Sequence, residues 1–386
     1  MLKNSSWKLE DTNLANFGSK LDLDHRQQEG SLETAWNQPK SRVGKETGLW
    51  IWRVEDFRLV PVPNRQYGKF YQGDSYLLLR STTRGNSDAL IHHLHFWLGL
   101  DTSQDEAGTA AYKAVELDDY LGSTPVQHRE VQHQESELFQ SYFPRIVYLS
   151  GGVSSGFHHH DEQQPVTRLL QVHKPQALST THTRNAVVIS EVPLSSDSLN
   201  SGDVFVLDTG DKIYQWQGQK SQGVEKAKAA EYIAQLISER DGKGETVIVE
   251  EQSGAHNGFW DVLGSHGPIK SAAEGEKSAE RQIQQGSGQK RLFRLIHGNG
   301  DGLQFKEVEP RQSSFDSSHV FIFDVGHQVY TWVGRNAMGT DRASGLHYAQ
   351  LYIQHSKLPA FTPITRVIEG GEDELFESSL EGWQGW

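Results

Sequence analysis

The chain has 386 residues, 35% of them hydrophobic and 23% charged, which is the composition of a globular protein with room for two or three domains. Its formal net charge of −13 argues against nucleic acid as a partner and suits cations or basic protein surfaces better. No cysteine is present, so the sequence excludes disulfides and thiol chemistry and favours a reducing compartment.

The beginning of the chain predicts neither export nor a membrane span. Residues 1–13 are polar and lack the apolar core of a signal peptide, and no stretch approaches the roughly 18 apolar residues that a span needs. Residues 1–47 carry only scattered apolar side chains such as Trp7 and Trp36, so we expect an extension that packs on the body of the protein. The expected location is the cytosol.

Short strands begin at Gly48 and lead to a well-marked helix. Alternating apolar residues predict strands at 49–54, 73–79 and 95–99. A helix follows over 103–121, in which Ser103 and Glu106, three residues apart, form a capping box. At 100° per residue, one helix face carries small or apolar side chains and one acid, which suits close packing on a sheet. Its members are Ala107, Ala110, Ala111, Ala114, Asp118 and Leu121.

The opposite face of this helix carries Tyr112, with Asp105, Thr109, Glu116 and Asp119 around it. A single aromatic on a polar face is often only a surface residue, because isolated exposed apolar groups are common. Tyrosine is also frequent among the residues that anchor protein interfaces. The helix pattern alone leaves both interpretations open.

The chain contains three copies of one pattern. The strand motif at 74–79 recurs at 203–208 and again at 319–324. Each copy is followed by a strand with a Trp and a Gly and then by a helix, of which the second is expected at 225–237. The spacing of roughly 116 to 130 residues suits whole domains better than solenoid repeats.

We therefore predict an α+β protein of three similar domains joined by linkers. Linkers are indicated where Gly, Ser and charged residues dominate, as in 264–288, and again in 156–165. The predicted division is an N-terminal extension, a first domain, a linker with the second domain, a second linker and a third domain. Their bounds are 1–47, 48–155, 156–264, 265–288 and 289–386.

Several motifs follow one another in a fixed order from Gly73 to Phe157. They are Gly73-Asp74 and the stretches 103–106, 117–121, 126–131 and 151–157. In order, spacing and residue type they closely resemble the first domain of the gelsolin/villin superfamily, over roughly eighty residues. Three-domain members such as severin, fragmin and the macrophage capping protein suit the length best. The resemblance implies three gelsolin-like domains, each a central mixed β-sheet packed between a long and a short α-helix.

The resemblance also implies a function. It predicts a calcium-dependent protein that binds actin monomers and filaments, severs filaments, caps their barbed ends and nucleates assembly; the alternative is a capping or scaffold protein that does not sever. In relatives, the helix matching that of Tyr112 enters a cleft at the barbed end of actin, and the segment up to Phe157 runs over the actin surface. The second domain, which begins near Arg168, binds the filament side. The neighbours of Tyr112 would share the contact: Asp105, Thr109 and Glu116.

Calcium takes six to eight hard oxygens, commonly from carboxylates and backbone carbonyls. By resemblance, the first domain would supply the carbonyl of Gly73, the carboxylates of Asp74 and Glu106, and the carbonyl of Val153. Taken singly, Asp74 is equally a turn residue that starts a strand, and Glu106 is equally a helix cap.

The second copy repeats this set with Gly202, Asp203 and Glu225, and a further acid would come from the linker, where Glu274 or Glu276 is nearest. Taken singly, Asp203 also reads as a turn residue. The recurrence of an Asp and a Glu at equivalent places in two copies favours calcium over the separate explanations.

The third copy departs from this pattern. Ser318 and His319 stand where Gly-Asp is expected, although Asp341 occupies the position of the Glu. We therefore expect a weak site or none in the third domain.

A second family site would join Asp118 and the carbonyls of Ser123 and Pro125 to a carboxylate of actin. Asp118 faces the small-residue side of its helix, and an unpaired buried charge is costly. A cation would satisfy it, and so would a hydrogen-bonded turn, so both interpretations stay open.

Other functions are less well supported. The stretches 144–149 and 168–174, where relatives carry Lys-rich phosphoinositide sites, hold few positive charges, so lipid regulation is not favoured. The His-His-His-Asp-Glu run at 158–162 offers zinc ligands, but consecutive linker residues cannot all face one ion and no second cluster completes a hydrolase site. No catalytic triad, phosphate loop or dinucleotide motif stands out. We expect a monomer without enzymatic activity.

Overall fold

The structure is a computed structural model that describes residues 7–8, 32–83, 89–153, 167–174, 187–253, 257–264, 267–275, 290–297, 302–326, 328–356, 358–359, 362–372 and 374–384. In these ranges the strands are β1 (Trp7–Lys8), β2 (Gly48–Glu55), β3 (Arg58–Pro61), β4 (Lys69–Tyr71), β5 (Ser75–Thr83), β6 (Leu90–Leu98), β7 (Val126–Val131), β8 (Ile146–Leu149), β9 (Arg168–His173), β10 (Val188–Val192), β11 (Val204–Asp208), β12 (Lys212–Gln217), β13 (Glu245–Glu250), β14 (Arg291–His297), β15 (Gly302–Val308), β16 (Val320–Asp324), β17 (Val329–Val333) and β18 (Ile364–Ile368). The helices are α1 (Gln104–Tyr120), α2 (Glu137–Ser141), α3 (Gly223–Glu239), α4 (Asn257–Leu263), α5 (Gly339–Ala343), α6 (Gly345–Ser356) and α7 (Glu374–Ser379).

The same α+β pattern appears three times, as predicted. The first repeat runs from β2 to β8, the second from β9 to α4 and the third from β14 to α7. In each repeat a long helix packs on one face of the sheet and a short helix on the other, so each sheet has an apolar core on both faces. In the first repeat, Ala114 of α1 lies in one core and Phe139 of α2 in the other, both fully buried.

One sheet joins the first and third repeats. Its described strands are ordered β1-β15-β14-β16-β17-β18-β7-β6-β5-β2-β3. The join, which we call the seam, is the antiparallel pair of β18 and β7, in which Ile364, Thr365 and Arg366 face Arg129, His128 and Gln127. Main-chain groups at strand edges make such a pair, so no sequence pattern predicts it.

A second sheet contains the strands of the second repeat and two strands from the first. Its order is β13-β12-β11-β9-β10-β8-β4. The contact is made by β8, which pairs in parallel with β10, with Val147 opposite Ile189. Sheets and repeats therefore have different boundaries, because β4 and β8 of the first repeat extend the sheet of the second.

The long helix of the first repeat has the predicted start and the predicted buried face. The N–H of Glu106 donates to Ser103 Oγ at 3.2 Å, and the N–H of Ser103 donates to Glu106 Oε2 at 3.4 Å, which completes the capping box. Ala110, Ala114 and Leu117 are fully buried against the sheet. A cap of this kind contributes about 1 kcal/mol to stability.

The segment before β2 packs on the first repeat. Trp36 is fully buried, with its ring 6.3 Å from that of Trp52 and 6.4 Å from that of Tyr120 at the end of α1. No helix in the described ranges combines the length and the apolar character needed to cross a membrane.

Candidate functional site

The carboxylate of Asp74, immediately before β5, is fully buried in the first repeat. Its Oδ1 accepts a hydrogen bond from the N–H of Val153 at 2.8 Å, and its Oδ2 lies 2.5 Å from Nη2 of Arg53 on β2. Gly152 passes so close that a Cβ at this position would collide with Oδ1. The loop at 151–153 therefore closes over Asp74, which brings the predicted Asp74 and Val153 together.

The other two predicted ligands of the first repeat lie at the same place. The N–H of Gly73 donates to the carbonyl of Gly151 at 2.8 Å. Glu106, at the start of α1, is close enough for its charge to act on Asp74. Burial raises the pKa of Asp74 to about 6; the charge of Arg53 opposes this effect and the charge of Glu106 adds to it.

Asp203 and Glu225 come together in the second repeat, with His173 as a third member of the cluster. One ligand atom of each lies within 4.8 Å of the others. His173 Nδ1 is 2.8 Å from Asp203 Oδ1, and the side-chain amides of Gln171 and Asn200 donate to Asp203 Oδ2 at 2.5 and 2.7 Å. Burial acts to raise the pKa of Asp203, but these hydrogen bonds outweigh burial and the pKa is lowered.

Glu225 also serves as a helix cap, at the start of α3. Its two carboxylate oxygens accept hydrogen bonds from the N–H groups of Lys174 at 2.9 Å and Gln222 at 2.8 Å. Burial raises its pKa, and the nearby charge of Asp203 contributes to the rise. The observed capping role and the predicted metal role thus fall on the same residue, as they do for Glu106.

The predicted linker acid, Glu274, lies in a segment that is close in space to this cluster, but its carboxylate accepts hydrogen bonds from within the linker. Gly202 donates its N–H to Asn200 Oδ1 at 2.8 Å, and a Cβ on Gly202 would meet Ala272 at 3.0 Å, so the linker passes over the cluster. Glu274, however, is exposed and its Oε2 accepts hydrogen bonds from the N–H and Oγ of Ser271, at 2.8 and 2.7 Å. Glu276 lies outside the described residues.

The second repeat offers the better donor set for calcium. Asp203 and Glu225 are two carboxylates within reach of one ion, although His173 would have to move aside, because calcium prefers oxygen ligands. In the first repeat a calcium ion would compete with the guanidinium of Arg53 for Asp74. A bound cation would supply the positive charge that basic groups now supply to these acids.

The third repeat has basic groups at the equivalent place. His319 Nδ1 lies 2.6 Å from Asp316 Oδ1, and Arg294 Nη2 lies 2.8 Å from His319 Nε2. Asp341 is buried and accepts a hydrogen bond from the hydroxyl of Tyr348 at 2.9 Å. Among the residues that the structure describes in this repeat, no three metal-ligating side chains come together.

Asp118 lies at the buried face of α1, beside the seam. Its Oδ2 is 3.6 Å from Nη1 of Arg366, which belongs to β18 of the third repeat. The N–H of Ser123 donates to the carbonyl of Asp118 at 2.8 Å, and Pro125 is buried next to this turn. Asp118 therefore takes part both in the turn, through its carbonyl, and in an ion pair, through its carboxylate. The cation of that pair, Arg366, belongs to the third repeat.

The outward face of α1 carries Tyr112, which is 37% exposed. Asp105 is also exposed, and Thr109 donates its hydroxyl to the Asp105 carbonyl at 2.8 Å. Phe157 lies outside the described residues. Arg168 begins β9 and its Nε lies 3.7 Å from Glu191 Oε2, so it is engaged within the second repeat.

The prediction that Glu116 lies on this outward face is wrong. Its side chain is 1% exposed, and its Oε2 is 2.8 Å from Lys113 Nζ, which also lies 2.7 Å from Glu33 Oε2. The cause is the segment before β2, which folds back along this flank of α1. A helical periodicity cannot reveal a cover that comes from another part of the chain.

Sequence reasoning missed three basic residues at these sites: Arg53, His173 and Arg366. Each is a titratable residue in a strand whose apolar side chains pack into a core, in β2, β9 and β18. A charged residue in such a strand needs a buried partner, and that is the signal by which they could have been found.

Comparison with known proteins agrees with the motifs. A family model described as Gelsolin repeat matches residues 56–140, 185–260 and 303–377. The chain is 38% identical over 352 residues to "Actin depolymerising venom protein gelsolin 1" of Platymeris rhadamanthus, a match that covers 89% of this chain and 90% of the relative. It is 34% identical over 385 residues to "Gelsolin-like protein 1" of Lumbricus terrestris, with 98% of each chain covered.

A longer relative is matched only in part. "Gelsolin, cytoplasmic" of Homarus americanus is 37% identical over 350 residues, which is 89% of this chain and 45% of that protein, so the present chain spans less than half of its length. Three repeat matches and two relatives aligned along nearly their whole length confirm the prediction made from the motifs: the chain belongs to the gelsolin family.

Proposed function

We propose that the chain is a calcium-dependent actin-binding protein that severs filaments, caps their barbed ends and nucleates assembly. The observation that carries the proposal is the outward face of α1, where the exposed Tyr112 stands on a helix whose opposite face is packed on the sheet. A helix with an exposed aromatic anchor suits an apolar cleft on a partner. The Platymeris relative, aligned along 90% of its length, is named as actin depolymerising.

Severing follows from two contacts on one chain. The helix α1 would enter the cleft at the barbed end of an actin subunit, and the second repeat would hold the side of the filament. Because the two are linked, the second contact forms at a high effective concentration, so modest affinities together can displace a contact between subunits. The protein then remains on the new end as a cap.

Calcium would control whether α1 is available. In the arrangement described here α6 of the third repeat lies beside α1, since Leu346 packs against the cores of both repeats, and Arg366 pairs with Asp118. A cation at Asp118 would take over the role of Arg366 and so favour separation at the seam. Calcium drives this change only if it binds the separated arrangement more tightly than the joined one.

We also propose a cytosolic protein associated with the cytoskeleton and active as a monomer. The absence of cysteine suits a reducing compartment, and the Homarus relative is named as cytoplasmic. Phosphoinositide regulation is not part of the proposal, because 144–149 and 168–174 hold few positive charges.

The proposal is tested by watching fluorescent actin filaments by total internal reflection microscopy, with the full chain added in micromolar free calcium or in chelator. Breaks along the filament shaft in calcium, followed by ends that no longer grow, are expected. Ends that stop growing without breaks would establish the alternative, a capping protein that does not sever. Filaments unaffected in both conditions would refute the proposal.

A further inference from the structure

The first repeat contains a stack of histidines that the proposed calcium sites do not use. His93 and His95 are two residues apart on β6, and His128 and Glu130 are two residues apart on β7, so each pair faces one side of the sheet. His95 and His128 are register partners in the parallel β6–β7 pair. Across the seam, the register partner of His128 is Thr365.

These side chains are close enough to share one ion. The rings of His95 and His128 stack with centroids 4.2 Å apart and 11° between their planes. One ligand atom each of His95, His128 and Glu130 lies within 4.8 Å of the others, and the three residues are at most 1% exposed. His93 adjoins them, with its Nδ1 3.0 Å from His128 Nε2, and is the candidate for a fourth ligand.

The donor types favour zinc over calcium. Zinc binds neutral imidazole and carboxylate in tetrahedral sites, whereas calcium takes oxygen ligands. Burial, together with the neighbouring His95 and His93, lowers the pKa of His128 well below its ordinary value. Burial also lowers the pKa of His93 to about 4. These rings are therefore neutral near pH ~7 and keep a lone pair for a metal.

The atoms around the cluster would hold the ligands in place. His95 Nε2 is 3.0 Å from the Tyr142 hydroxyl, and His128 Nδ1 is 3.1 Å from Thr365 Oγ1. Both oxygens of Glu130 accept hydrogen bonds from Ser136, from its N–H and from its Oγ, each at 2.7 Å. Metal-binding histidines usually employ their second ring nitrogen in this way.

We propose that the first repeat binds one zinc(II) ion, or a d-block cation of the same preference, through His95, His128 and Glu130, beside the seam. Donor atoms of a tetrahedral zinc site are about 3.4 Å apart, since the bonds are about 2.1 Å long. His95 Nδ1 and Glu130 Oε1, now 2.9 Å apart, therefore separate by roughly 0.5 Å when the ion enters. The ion replaces the present contacts of His95 with Glu130 and of His93 with His128.

The test is a calorimetric titration of the full, metal-free chain with zinc chloride near neutral pH, in excess calcium so that oxygen-only sites are filled. We expect one zinc-binding event that His128→Gln abolishes. The matched control is His173→Gln, which alters the other described cluster that contains a histidine and should leave this event in place. Cobalt(II) in place of zinc should give the visible spectrum of a tetrahedral site, lost in the same variant.

Thermal unfolding of the metal-free variants by circular dichroism verifies that they fold. Should His128→Gln fail to fold, the half-buried His93 is replaced by Gln, and zinc affinity should fall about tenfold or more. If the wild-type chain binds no zinc, the proposal is overturned. The proposal is also overturned if zinc still binds to the folded His128→Gln and His93→Gln variants, or if zinc binding is lost in His173→Gln. In those cases the histidine stack is only a hydrogen-bonded part of the core.

Discussion

Glu135 is a carboxylic acid in the core of the first repeat, where its charge is costly. It is 7% exposed, and Trp97 Nε1 donates to its Oε1 at 2.8 Å. Burial raises the pKa of Glu135 to about 7, although hydrogen bonds with Trp97 and Tyr148 oppose the rise. An unfolded glutamate has a pKa of about 4.3, so the folded state binds this proton more tightly. The contribution of Glu135 to stability is therefore lost as the pH rises from about 4.3 to 7.

The variant Glu135→Gln should be more stable than the wild type above pH ~7, by about 1–3 kcal/mol, because the amide keeps an acceptor for Trp97 without a charge. The difference should vanish near pH ~4.5. Urea unfolding at a series of pH values measures it. The lowered pKa values of His93 and His133, each about 4, destabilise both proteins in acid, so only the difference between them reports on Glu135. A difference that increases in acid would contradict the prediction.

Tyr112→Asp should lower the affinity of the full chain for monomeric actin about 100-fold in calcium, because a carboxylate would be buried in an apolar cleft. Fluorescence titration of labelled actin measures the affinity. Met338→Asp is the matched control, since Met338 is an apolar side chain of the third repeat with 56% exposure. Equal affinities for the two variants would remove Tyr112 from the contact.

For single residues, the sequence predicts the acidic side chains of the candidate sites better than it predicts the residues that contact them. Asp203 and Glu225 could be found because the first repeat also has an Asp before a strand and a Glu at the start of a helix, at equivalent places. Arg53 and Arg366 were not predicted as the partners of Asp74 and Asp118, because an ion pair between distant parts of the chain has no characteristic sequence spacing. Glu116 was assigned to the wrong surface for a related reason, as its cover comes from the segment around Glu33.

Among the elements, α1 is the one that local sequence defines most completely. Its start depends on Ser103 and Glu106, three residues apart, and its buried face follows from alanines at helical spacing. Both features involve only neighbours within two turns, so the helix could be predicted to within a residue at each end. The edge pairings of β4, β8 and β18 could not, because they depend on main-chain groups that meet only in the folded chain.

Ser103→Ala should lower the free energy of unfolding of the first repeat by about 1 kcal/mol, since the N–H of Glu106 loses its acceptor at the start of α1. Urea unfolding followed by circular dichroism gives the change in midpoint. The control is Ser141→Ala at the end of α2, where an exposed hydroxyl donates to the Leu138 carbonyl and caps no N–H group. Equal midpoints for Ser103→Ala and the wild type would show that the capping box contributes no stability.

For the whole molecule, the main structural feature is that the first and third repeats share a sheet through a short and largely polar seam. Three residue pairs connect β7 with β18, and Thr365 there accepts a hydrogen bond from Gln328 Nε2 at 2.6 Å. The strand pair is as short and polar as a transient interface, and Val126 and Leu346 add apolar contacts between the two repeats. This strand pair suits two arrangements that differ by a few kcal/mol, which is what the proposed calcium-controlled change requires.

Arg366→Gln should lower the free calcium concentration at which the repeats separate by about tenfold, which corresponds to about 1.4 kcal/mol. Arg366 is 3% exposed and its guanidinium lies 3.6 Å from the buried Asp118 carboxylate, so the substitution removes a favourable charge interaction that exists only while the repeats are joined. The radius of gyration from small-angle X-ray scattering, measured against free calcium, gives the midpoint. Arg311→Gln removes an arginine from an exposed pair with Glu309 and should leave the midpoint unchanged. If both variants open at the wild-type calcium concentration, Arg366 does not hold the seam closed and calcium acts elsewhere.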